Sequence, residues 1–156
     1  MASDWKLHLR KAQPQDCDLL YLWCNDPQCR ANSLNTEHIP YEEHCRWFSE
    51  KMASNACEIY ICMHGSDAVG QIRLDIEGVE GRISYFVQEN CRGRGMGRQI
   101  LQLLEEVMPQ TLEVLYGIVK ETNIASQKCF EKLGYQKEVG EEVYYYRKRI
   151  AENHES

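Results

Sequence analysis

The sequence predicts one α/β (α+β) domain, a mixed and mostly antiparallel central sheet flanked by about four helices. Three observations predict it. Strand-like segments "CEIYICM", "AVGQIRLDIE" and "GRISYFVQ" run consecutively, as an antiparallel meander does. A strand–helix–strand unit follows from Leu112, and its crossover demands a parallel element. Between these parts, "CRGRGMGR" turns a strand into a helix with three glycines and three arginines in eight positions.

The elements follow in order. "WKLHLRKA" alternates apolar and polar residues like an opening strand. "PQDCDLLYLWCN" offers Asp16 as a cap and Leu19, Leu20, Trp23 and Cys24 as one helical face, stopped by "NDP". A polar loop, "PQCRANSLNTEHIP", leads to a helix that starts at Pro40, with Glu42 and Glu43 where the helix dipole favours acids. "HGSD" and "EGVEG" join the three meander strands. "GRQILQLLEEVMP" is a helix with Ile100, Leu101, Leu104 and Val107 on one face, ended by Pro109. "LEVLYGIVK" is apolar enough to lie centrally. "NIASQKCFEKLG" is a helix capped by Asn123 and closed by Gly134, and two short strands near Tyr135–Val139 and Glu142–Arg149 finish the sheet. The domain is expected over residues 1–150, with 151–156 as a flexible tail.

Composition narrows the function. The 156 residues suffice for one core, and 43% hydrophobic with 27% charged residues is globular rather than disordered. A net charge of -6 disfavours a nucleic-acid or anionic-membrane partner, which needs a broad basic field. No apolar run approaches a membrane span, and the N-terminus lacks a signal peptide's apolar core. The eight cysteines show no C-x-x-C or paired spacing, so no metal site or disulfide framework is expected. Cys24, Cys45, Cys62 and Cys129 read as small buried hydrophobes, and a cytoplasmic location follows from unpaired thiols.

Any anion site must therefore be local, and residues 91–98 supply one. Gly93, Gly95 and Gly97 allow positive φ and close backbone approach. Successive N–H groups around such a turn form a nest, and a helix N-terminus adds further donors. Arg92, Arg94 and Arg98 add forks suited to phosphate. The stretch reads as a diphosphate cradle. Neither a P-loop nor a Rossmann fingerprint fits its spacing.

Arg92-Gly93-Arg94-Gly95-Met96-Gly97, as R-x-x-G-x-G, resembles the pyrophosphate loop of the GNAT superfamily of N-acetyltransferases. Asn123, Ser126, Phe130, Gly134 and Tyr135 follow that family's second signature, N-x-x-S-x-x-x-(Y/F)-x-x-x-G-(Y/F). The resemblance implies acetyl-CoA as co-substrate and a sheet splayed between its fourth and fifth strands, here Arg82–Gln88 and Leu112–Val119. It implies that the backbone of Phe86 and Val87 pairs with the pantetheine arm. The main chain from Gly93 through Arg94, Gly95 and Met96 to Gly97 would hold the pyrophosphate, and Asn123, Ser126 and Phe130 would face the CoA arm. In the family, a tyrosine often protonates the departing thiolate, but Phe130 occupies that position. Tyr135, Tyr85 or a water are the alternatives. Glu121, His44, Glu77 and Glu80 are candidate bases.

Residues 22–48 also resemble the acetyltransferases of the pseudaminic acid pathway, through W-x-N-D-P…R…S…I…E-H-x-x-W-F. That resemblance implies a UDP-linked 4-amino sugar as acceptor. Trp23, Trp47 and Phe48 would stack on sugar or base, or else belong to the core. Arg30, Asn32, Ser33 and His44 would bind the acceptor's polar groups. The alternatives are a protein N-terminal amine, a polyamine or an aminoglycoside, and, in another class, a non-catalytic CoA sensor. A homodimer is compatible with the family.

Overall fold

A computed structural model describes residues 6–150. Trp5 and the tail 151–156 lie outside the described residues. The chain order is β1 (Leu7–Lys11), α1 (Cys17–Cys24), α2 (Pro27–Asn32), α3 (Tyr41–Ala53), β2 (Cys57–His64), β3 (Asp67–Glu77) and β4 (Glu80–Val87). It continues with α4 (Met96–Val107), β5 (Val114–Lys120), α5 (Ile124–Lys132), β6 (Gln136–Val139) and β7 (Val143–Arg149).

The strands form one sheet in the order β1-β2-β3-β4-β5-β7-β6. All neighbours are antiparallel except β4 and β5. That parallel pair is short: only Glu80, Gly81 and Arg82 meet Val114, Leu115 and Tyr116. Beyond these rungs the two strands part, while each keeps its other neighbour to the end. The expected mixed, splayed sheet is therefore present.

The period-2 patterning of β2 places Tyr60 and Cys62 on one face and Ile59 and Ile61 on the other. α4 and α5 cover the first face. Ile100, Leu101 and Leu104 of α4 are fully buried there with Leu74, Leu115 and Tyr146. At roughly 1.5–3 kcal/mol for each fully buried side chain of this size, this face is a major source of stability. The first three helices cover the second face, where Leu20, Trp23 and Phe48 pack on Ile59, Ile61 and Phe86.

Two local expectations are corrected. Asp16 does not cap α1. Its buried carboxylate accepts from both terminal nitrogens of Arg10, at 2.8 and 2.9 Å, and from the Gln13 amide at 2.7 Å. The stretch after "NDP" is also not all loop, since Pro27–Asn32 is a helix. Asp26 caps it by accepting from the Gln28 and Cys29 amides at 3.0 Å, with Pro27 in the first turn. Among the cysteines, Cys57, Cys62 and Cys91 are buried. Cys24, Cys45 and Cys129 are half-buried, and all three are free thiols.

Candidate functional site

The opening between β4 and β5 is walled at its mouth by the segment after β4. Gly93 (φ 80°) and Gly95 (φ 75°) take left-handed backbone there, which L side chains rarely adopt. Gly95 is the N-cap of α4, and the first intrahelical bond runs from the Gln99 amide to its carbonyl at 3.2 Å. The amides of Met96, Gly97 and Arg98 thus have no acceptor inside the helix. The Met96 side chain is buried and anchors this turn in the core.

At Gly97 a Cβ would stand 3.1 Å from both Cys129 Sγ and a Tyr85 ring carbon, so the helix start packs close on β4 and α5. Tyr85 completes this corner. Its hydroxyl donates to Ser126 Oγ at 3.0 Å, linking β4 to α5 beneath the opening. Burial, then the nearby Cys129, push the Tyr85 pKa up, against a smaller lowering by Ser126. The Asn123 side chain accepts from the Ser126 amide at 3.3 Å, so the residue caps α5. Gln127, which the sequence did not single out, donates its side-chain amide to the Lys120 and Glu121 carbonyls at 3.1 and 3.0 Å.

Phe130 is buried, stacked on Tyr146 at 5.5 Å and packed against Gly117. Tyr135 lies on the same core. Its hydroxyl donates to Glu105 of α4 at 3.0 Å, whereas that of Tyr85 donates to Ser126. Glu121 is exposed just past β5. Glu77 and Glu80 pair with each other across the β3–β4 turn, at the closed end of the β4–β5 pair, and Glu80 accepts from Arg147. The geometry thus separates both glutamates from the opening.

On the acceptor side the structure reassigns several side chains. His44 is buried, with Nε2 2.9 Å from the Cys17 carbonyl oxygen and its ring stacked on Phe48. Arg30 holds the following loop, donating to the carbonyls of Cys24, Asn35 and Glu37 and to Ser33 Oγ. Ser33 in turn donates to the Cys29 carbonyl at 2.7 Å. These three are framework residues here. Asn32 ends α2, half-buried. Trp47 is half-buried with the Arg73 guanidinium 5.0 Å from its ring centre. Trp23 is core, 5.3 Å from Phe86.

Arg92 departs furthest from the sequence reading. Its Nε donates to the Val87 carbonyl at 2.8 Å, and its two terminal nitrogens reach Gln28 Oε1 at 2.8 Å and Asp26 Oδ2 at 2.9 Å. The guanidinium also lies over the Phe86 ring at 5.2 Å. Burial raises the Asp26 pKa, but the Cys29 amide, Arg92 and the Gln28 amide together hold it below the usual carboxylate value. Beside this pair lies an open depression of about 700 Å³, lined by Leu22, Trp23, Asn25, Asp26, Phe86 and Glu89 among others. Asp26 was missed as a site residue, although the Asp-Pro pair signals a cap followed by a helix. Lys120, whose Nζ donates to the Ala31 carbonyl at 2.9 Å, left no signal in the sequence.

A sheet opened between two parallel strands, with a glycine-rich helix start at the mouth, defines a class of acyl-carrier-binding transferase domain. The chain belongs to the acetyltransferase (GNAT) domain family, whose profile matches residues 6–136. The L-methionine sulfoximine/L-methionine sulfone acetyltransferase of Pseudomonas aeruginosa is 30% identical over 101 residues, 58% of this chain. The match spans 56% of that relative, little more than half its length. YwnH of Bacillus subtilis, provisionally named a phosphinothricin acetyltransferase, is 26% identical over 137 residues, covering 81% of this chain and 82% of that one. The spermidine N-acetyltransferase of Vibrio cholerae, solved with CoA and spermine, superimposes with a TM-score of 0.84 over 96% of this chain and 98% of the other. At 13% identity that likeness speaks to the fold alone. Among the described residues no helix is long and apolar enough to cross a membrane, and no group of three or more His, Cys, Asp or Glu side chains could hold a metal ion.

Proposed function

We propose that the chain moves an acetyl group from acetyl-CoA to the primary amine of a small molecule by direct transfer. The observation that carries this reading is the coincidence of the β4–β5 opening with the Gly93–Gly97 turn at the head of α4. The turn fits a diphosphate because glycine backbone and helix amides meet there, and a Cβ at Gly97 would crowd Tyr85 and Cys129. Acetyl-CoA supplies the thioester whose carbonyl the amine attacks. The antiparallel register turns the main-chain groups of Phe86 toward β3. Val87 offers its main-chain N–H along the β4 edge that has lost its β5 partner, its carbonyl being held by Arg92. Fixed dipoles of that kind stabilise a developing oxyanion. Tyr85 replaces the hydroxyl that Phe130 lacks. Burial keeps that hydroxyl protonated at neutral pH.

For the acceptor, the sequence pattern of residues 22–48 favours the 4-amino group of a nucleotide-linked amino sugar, although Arg30, Ser33 and His44 are engaged by neighbouring protein groups. A second reading has an observation of its own: Glu89 lines the depression beside α2, together with Asp26, whose charge is already paired with Arg92. Such a lining suits a small cationic or zwitterionic amine, as borne by the compounds named for the relatives. Thiol release from acetyl-CoA, measured with a UDP-4-amino sugar, methionine sulfone, phosphinothricin, spermidine and a basic peptide, separates these readings. Turnover with the sugar alone supports the first reading, and turnover with the amino acids or polyamine alone replaces it. Tight CoA binding with no turnover on any amine would make the domain a sensor.

A further inference from the structure

α2 is tied at both ends, and to opposite walls of the splay. At its N-terminus Asp26 and Gln28 accept from Arg92, just past β4, at 2.9 and 2.8 Å. At its C-terminus the Ala31 carbonyl accepts from Lys120, the last residue of β5, at 2.9 Å. Six helical residues rise about 9 Å. Paired strands stand about 4.8 Å apart. The helix is thus longer than the gap between two paired strands, and both its ties lie beyond the last β4–β5 rung, where the strands have separated.

We propose that α2 is a strap across the mouth of the splay, and that Arg92 is a positioning residue for the acceptor, acting through α2, rather than a ligand of the diphosphate. To reach a diphosphate, Arg92 would have to exchange its bonds to Val87, Gln28 and Asp26 and leave the Phe86 ring. Held as it is, it joins the glycine turn to the helix that walls the acceptor depression, since Asp26 and Pro27 line that depression. The donor loop and the acceptor wall then share one side chain. This proposal rests on the proposed acetyl transfer for its kinetic consequence, but not for its structural one.

The test uses the full chain with Arg92→Ala, Arg92→Lys and Gln28→Ala. Gln28 is the informative partner because Asp26 also caps α2. Calorimetry gives the CoA affinity, steady-state assays give the acceptor KM and kcat, and hydrogen exchange reads the amides of residues 28–32. Arg92→Ala and Gln28→Ala are expected to leave CoA affinity within about twofold and raise the acceptor KM about tenfold or more. Exchange at 28–32 accelerates in both. Arg92→Lys, which keeps the charge but loses the fork, falls between wild type and Arg92→Ala. In a chain carrying both Arg92→Ala and Gln28→Ala the effects fail to add. A tenfold loss of CoA affinity in Arg92→Ala with an unchanged acceptor KM overturns the proposal, as does unaltered exchange at 28–32. If the wild-type chain binds no CoA, the acetyl-transfer reading falls by that result alone, and the exchange measurement still decides whether Arg92 holds the strap.

Discussion

Tyr85 donates a 3.0 Å hydrogen bond to Ser126, joining β4 to α5 at the point where β4 has lost its pairing with β5. The two residues are 41 positions apart. They place a protonated hydroxyl under the opening, although the family's usual tyrosine position holds Phe130.

Tyr85→Phe keeps the ring and removes the proton. The expected outcome is a kcat about 10²-fold lower, with CoA affinity within about twofold of wild type. Because burial raises this pKa above the ordinary tyrosine value of about 10, no alkaline limb from Tyr85 appears in the wild-type kcat profile below that pH. Single-turnover thiol release against pH checks both statements. An unchanged kcat in the variant would hand the role to water.

Gly95→Ala forces a side chain onto a residue at φ 75°. Its Cβ would meet nothing closer than Arg98 Nη2 at 3.7 Å, so the penalty is backbone strain rather than a clash. The strain costs about 1–2 kcal/mol. A Tm lower by a few degrees is expected from scanning calorimetry, together with about tenfold weaker CoA binding as the turn reshapes. Wild-type CoA affinity in the variant would remove the turn from the binding site.

At Gly117 a Cβ would stand 2.5 Å from Phe130 Cζ. Gly117→Ala therefore overpacks the β5–α5 contact and destabilises the domain by about 1–3 kcal/mol, read from urea denaturation. Phe130→Leu in the same chain relieves the clash. If the pair is no more stable than Gly117→Ala alone, the penalty does not arise at Phe130.

The Arg10–Asp16 pair ties β1 to the segment before α1. Arg10's hydrogen bond chiefly lowers the Asp16 pKa; burial opposes the shift, while the Gln13 amide and the Arg10 charge reinforce it. A carboxylate depressed in the fold stabilises above its unfolded pKa of about 3.9, and that stability is lost as pH falls through the folded value. Asp16→Asn is expected to cost about 1–3 kcal/mol at pH 7 and progressively less below about pH 4. Denaturation midpoints measured at both pH values check the sign. A penalty that does not shrink in acid would locate it outside this ion pair.

Legibility varied with sequence separation. The meander, α4 and α5 were readable because alternation, apolar periodicity and caps act within a few residues, as the Asn123 cap and the Gly134 closure do. α2 was missed because its polar residues carry no apolar stripe. Only its Asp-Pro start marks it, and its stability comes from Arg92 and Lys120, 66 and 89 residues away from their partners. His44 and Arg30 looked like ligands for a similar reason. Composition cannot tell a polar side chain aimed at a substrate from one that satisfies a neighbouring carbonyl.

By itself, the sequence determined the donor side of this protein: a glycine turn with positive φ, a helix start behind it and a capped helix thirty residues on. These are local backbone requirements, and a short run of residue types is enough to meet them. Only the tertiary structure decided what the arginines and tyrosines do. Arg92 faces α2, Tyr135 faces Glu105, and Tyr85 reaches Ser126, because a side chain's role depends on which groups the fold brings within about 3 Å of it.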